Sequence, residues 1–83
     1  MVSIGENIRS IRVLRELTQE KLAEMAKLSR SSIVNFETGK RAPRVDDLES
    51  IAKALRVEVS IFFQENPTQP RQEETQAGET ETI

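Results

Sequence analysis

The sequence predicts a small all-α domain ending near residue 63, followed by a short acidic tail. Three observations carry that expectation. Apolar residues recur at helical spacing along the chain, as in Ile4, Ile8 and Ile11. Thr18, Ser29 and Gly39 punctuate these stretches, and such residues start or stop helices. The chain has 83 residues with neither cysteine nor histidine. No disulfide, thiolate or imidazole metal site can therefore staple it. A domain this small then needs a compact, locally connected core, which helices supply best.

Each element has its own warrant. Ile4, Ile8 and Ile11 place a first helix over residues 4–16. Thr18 caps a second over 19–26, with Glu20 in its positive first turn. Lys21 stands where a capping box would want Glu or Gln. Leu22, Ala23 and Ala26 form the inner stripe, and the alanines let another helix approach closely. Ser29 caps a third helix over 30–38, Ile33 and Phe36 face inward, and Gly39 ends it. After the loop GKRAPR, a fourth helix over 45–55 turns Val45, Leu48, Ile51, Ala52 and Leu55 inward. Asp46 and Asp47 complement its N-terminal dipole. A fifth turn over 59–63 adds Val59, Phe62 and Phe63 to the core.

From residue 64 the composition changes. QENPTQPRQEETQAGETETI holds five glutamates, four threonines, two prolines and almost nothing apolar. It cannot bury enough surface to offset the entropy of ordering, so residues 64–83 read as a flexible acidic tail. The formal net charge of -2 hides an asymmetry. Between residues 27 and 44, five cations (Lys27, Arg30, Lys40, Arg41 and Arg44) stand against Glu37 alone. Such a local excess points to an anionic partner. No long apolar run resembles a signal peptide or a membrane span, so a cytoplasmic protein is expected. No nucleophile–base pair, metal constellation or phosphate-cradling glycine loop is visible. An enzymatic role, a cofactor and a metal are therefore not expected.

Two short helices separated by about three residues suggest a helix-turn-helix. Leu22, Ala26, Leu28, Ile33 and Phe36 supply its inward positions, and Ala23 sits where the helices cross. Arg30, Ser31, Val34, Asn35 and Thr38 then form one outward stripe on the third helix. Their chemistry suits double-stranded DNA. Arg30 can donate to the acceptor pair of a guanine or grip a phosphate, Asn35 can pair with an adenine edge, and Val34 can pack on a thymine methyl. Ser31 can hydrogen-bond a base or let the helix lie deep. Gln19 opens the second helix, whose exposed N–H groups can face a phosphate. Lys40, Arg41 and Arg44 can neutralise the backbone, which makes binding salt-dependent.

LTQEKLAEMAKLSRSSIVNFETGKRAP resembles the phage-repressor and Cro-like helix-turn-helix family, also called the XRE family. The resemblance covers residues 4–63 and includes LESIAKALRV. It implies a five-helix, lambda-repressor-like domain, a regulator that mostly represses, and a homodimer on a palindromic operator. It implies that Gln19 is a phosphate or base contact. It places Arg30, Ser31, Val34 and Asn35 at base-reading positions, and residues 39–44 along the DNA backbone. It also implies a structural ion pair between Arg12 and Glu37. Two positions depart from the family. Lys27 stands in the turn and Glu16 stands before Leu17, where glycine is usual. Ile61 is expected to be exposed and is the candidate dimer contact. A second possibility is an antitoxin or protein-interaction module on the same scaffold, with the tail ordering on a protein partner.

Overall fold

Four α-helices follow one another in the computed structural model, which describes residues 3–65. They are α1 (Ile4–Leu14), α2 (Gln19–Ala26), α3 (Arg30–Thr38) and α4 (Val45–Leu55), and a 3-10 turn over Val59–Phe63 closes the domain. The fifth helix is therefore one 3-10 turn, since five residues are too few for a stable α-helix. Most of the expected tail lies outside the described residues.

Two of the starts follow the expected caps, Thr18 and Ser29, and Ser3 adds one that is not expected. The side chains of Ser3, Thr18 and Ser29 accept the backbone N–H of Glu6, Lys21 and Ser32 at the starts of α1, α2 and α3. At α4 the Asp47 carboxylate accepts the Arg44 backbone N–H at 3.0 Å. The ends are less ordinary. Only α3 stops at a glycine, Gly39, with φ 84°. Glu16, Lys27 and Arg56 take left-handed conformations with φ near +60°. Each is followed by a residue whose N–H reaches back five positions: Leu17 to Arg12, Leu28 to Ala23 and Val57 to Ala52. This Schellman closure is the reason α1 stops at Leu14, two residues before its expected end.

Left-handed non-glycine residues carry strain of order 1 kcal/mol or more. Glycine relieves it and loses about 0.4–1 kcal/mol through the unfolded chain. Lys27→Gly is therefore expected to raise stability by about 0.5 kcal/mol, read as a higher midpoint in thermal unfolding. A lower midpoint would show that the Lys27 side chain contributes packing.

The core gathers Ile8 and Ile11 from α1, Leu22, Ala23 and Ala26 from α2, and Ile33 and Phe36 from α3. Leu48, Ile51, Ala52 and Leu55 from α4 and Phe62 from the last turn complete it. Two expected core residues fall outside. Val45 is 69% exposed because the first residue of α4 projects beyond the layer below, and Phe63 is 51% exposed because Phe62 already fills the inner side of the turn. Ile61 corrects in the other direction, being half-buried and packed at the core edge rather than exposed.

α1 touches α3 on one side and the closing turn on another. Gly5 meets α3: a Cβ there would collide with the Phe36 carbonyl oxygen. Asn7 is buried, and its amide donates to the Phe62 carbonyl at 2.7 Å and the Gln64 carbonyl at 2.6 Å. Arg15 donates from its Nε to the Leu55 carbonyl at 2.9 Å and so caps α4. Among the described residues no helix is long and apolar enough to cross a membrane.

Candidate nucleic-acid interface

α2 and α3 form a helix-turn-helix whose turn is Lys27 to Ser29. Lys27 supplies the left-handed kink, and Leu28 tucks in against the core. α3 buries Ile33, Phe36 and Glu37 and turns its opposite side outward. On that side Arg30, Ser31 and Thr38 are exposed, while Val34 and Asn35 are half-buried. The Thr38 hydroxyl is bent back along its own helix and donates to the Val34 carbonyl at 2.8 Å. Lys40, Arg41 and Arg44 are all exposed in the segment after Gly39. The outward row of α3 and these cations thus lie on consecutive, solvent-facing chain.

Glu37 is the one buried acid of α3, and its surroundings explain why it can be buried. Its Oε2 accepts from Arg12 Nε at 2.6 Å, and its Oε1 accepts from Arg12 Nη2 at 3.1 Å. Oε1 also accepts from the Gln19 amide at 3.1 Å. The Nη1 of Arg12 donates to the Leu17 carbonyl at 2.7 Å. A paired, fully hydrogen-bonded charge escapes most of the cost of burial. The result ties α1, the turn after it, the start of α2 and the end of α3 to a single carboxylate. Gln19 is accordingly half-buried, with one amide hydrogen directed inward at Glu37 rather than outward. Its carbonyl oxygen and second N–H are the groups left for a ligand.

Two residues outside the expected base-reading row are joined beside it. Ser32 lies between Asn35 and Phe36 around α3 and binds Arg41. Arg41 in turn sits over the Phe36 ring, 4.9 Å from its centroid. Periodicity carries no trace of this contact, because Arg41 lies in a loop. Its one visible cue is an arginine shortly after an aromatic residue, which is common in sequences that form no such stack.

A helix-turn-helix family model matches residues 8–62. The immunity repressor protein of Bacillus phage phi105 is 41% identical over 64 residues, which is 77% of this chain and 44% of that protein. The restriction-modification controller protein C.AhdI from Aeromonas hydrophila has a similar structure, with a TM-score of 0.72 and 32% identity, covering 75% of this chain and 94% of that one. The P22 c2 repressor, solved in complex with a synthetic operator, gives a TM-score of 0.71 and 25% identity over 77% of this chain and 97% of that one. The chain thus spans less than half the length of the phi105 repressor.

Proposed function

Because the chain belongs to the helix-turn-helix family of transcriptional regulators, of the phage-repressor (XRE) type, we propose that it binds a palindromic DNA operator as a homodimer and represses transcription. The observation that carries this is the outward row of α3, followed directly by three exposed cations on a loop. A short helix with small polar residues outside and a buried inner side can lie in a major groove. Arg30, Ser31, Val34 and Asn35 read base edges. Lys40, Arg41 and Arg44, with Gln19 at the start of α2, hold phosphates and fix the register. The dimer contact lies in the closing turn. There the exposed Phe63 offers more apolar surface than the half-buried Ile61 two positions earlier.

Selection of sites from random duplex DNA tests the whole reading. Two-fold symmetric half-sites about one helical turn apart are expected. Arg30→Ala should cost about 1–3 kcal/mol on the selected site and relax the preference at one base position. A chain that selects no site, or an Arg30→Ala variant with an unchanged preference, would refute base reading by α3. A single asymmetric half-site would refute the dimer.

A further inference from the structure

Arg41 is held at three points, although it is exposed. Its backbone N–H donates to the Asn35 carbonyl at 3.2 Å. Its Nη2 donates to the Ser32 hydroxyl oxygen at 3.0 Å. Its guanidinium carbon lies over the Phe36 ring, 4.9 Å from the centroid. Ser32 is itself fixed: the Ser29 hydroxyl donates to Ser32 Oγ at 3.0 Å, and the Ser32 backbone N–H donates to Ser29 Oγ at 3.0 Å. The N-cap of α3 thus continues, through one serine, into a cation of the following loop.

A guanidinium has five N–H donors in a rigid fork. Ser32 engages one of them, and the Phe36 ring covers one face without using any. The remaining donors belong to an exposed residue and have no partner among these contacts. An arginine free in a loop must be immobilised when it binds a phosphate, whereas this one is already placed. We infer that Ser32 is a positioning residue that holds Arg41 ready to grip a DNA phosphate, an inference that rests on the DNA-binding role proposed above. Ser32 touches no DNA and carries no charge. Its contribution is made through Arg41 alone.

A double-mutant cycle separates this from an ordinary surface contact. Wild type, Ser32→Ala, Arg41→Ala and the double variant are titrated on the selected duplex over a range of salt, with Ser32→Thr as the variant that keeps the hydroxyl. Ser32→Ala should weaken binding roughly three- to ten-fold, the cost of immobilising one long side chain. Its salt slope should match wild type, because no charge is lost. Ser32→Thr should restore binding, and the double variant should bind no more weakly than Arg41→Ala. Additive losses, or a Ser32→Ala variant as tight as wild type, would overturn the inference.

A measurement without DNA distinguishes its failure from that of the DNA-binding role. In the free protein, the Arg41 side-chain protons should show ring-current shifts from Phe36, and Ser32→Ala should average them. Random-coil shifts in the wild type would overturn the positioning role even where DNA binding holds. Shifted Arg41 protons in a chain that selects no duplex would overturn the DNA role and the phosphate grip with it.

Discussion

Glu37→Ala is expected to destabilise the domain by about 3–5 kcal/mol, the cost of stranding the buried Arg12 charge. The Glu37 side chain is 1% exposed and that of Arg12 is 11% exposed, so little water can take over the lost contacts. Gln19 loses its inward acceptor as well. That loss is a large part of the 5–15 kcal/mol or so that a whole domain has. Urea titration measures it, and a change below about 1 kcal/mol would mean that solvent reaches Arg12 freely. Replacing both partners with apolar residues, Arg12→Met with Glu37→Leu, should recover much of the loss, because an apolar pair leaves no orphaned charge. The Leu17 carbonyl, which also depends on Arg12, sets a limit on that recovery.

Gly5→Ala is expected to cost about 3 kcal/mol, the upper end of what overpacking does. The atom a Cβ would strike is the Phe36 carbonyl oxygen, and the Glu37 carbonyl stands close behind it. Both are backbone, so no flexible side chain can move aside. α1 must lift from the end of α3, and Arg12 is carried on the same helix. The loss should therefore reach the ion pair. Changed NMR shifts at both Gly39 and Arg12 would show it, alongside a lower urea midpoint. A Gly5→Ala variant as stable as wild type would mean that α1 slides along α3 at little cost.

The two changes show how differently the structure is written into the sequence. The bounds of α2, α3 and α4 coincide with the expected ones, because Thr18, Ser29, Gly39 and the aspartates after Arg44 are local signals. The end of α1 departs from expectation because Glu16, a residue with no marked helix-stopping preference, closes it in a left-handed conformation. Val45 and Phe63 fit the apolar spacing yet face solvent, since spacing does not register that the end of an element overhangs its support. The Arg12–Glu37 pair spans 25 positions, and only resemblance to a family points to it. Gly5 carries no sign at all. Nothing nearby reveals that a carbonyl from α3 will press on it. The outward row of α3 is legible because its inner residues, Ile33 and Phe36, fix the other face. The inward turn of Gln19 and the tether on Arg41 are not, since each depends on a tertiary neighbour.

Asn7 has a consequence for how the domain can be handled. By holding the carbonyls of Phe62 and Gln64, it brings the end of the described chain to the first turns of α1, next to Ser3 where that chain begins. Residues two apart on a helix point about 200° around the axis from each other. Gly5 faces α3, so Asn7 holds the exit on the far side of α1 from α3. Entry and exit of the described chain thus share one doorway at the first turns of α1. A domain with that layout is a cassette. Close ends of this kind are what splicing into a surface loop, or joining end to end and reopening elsewhere, requires.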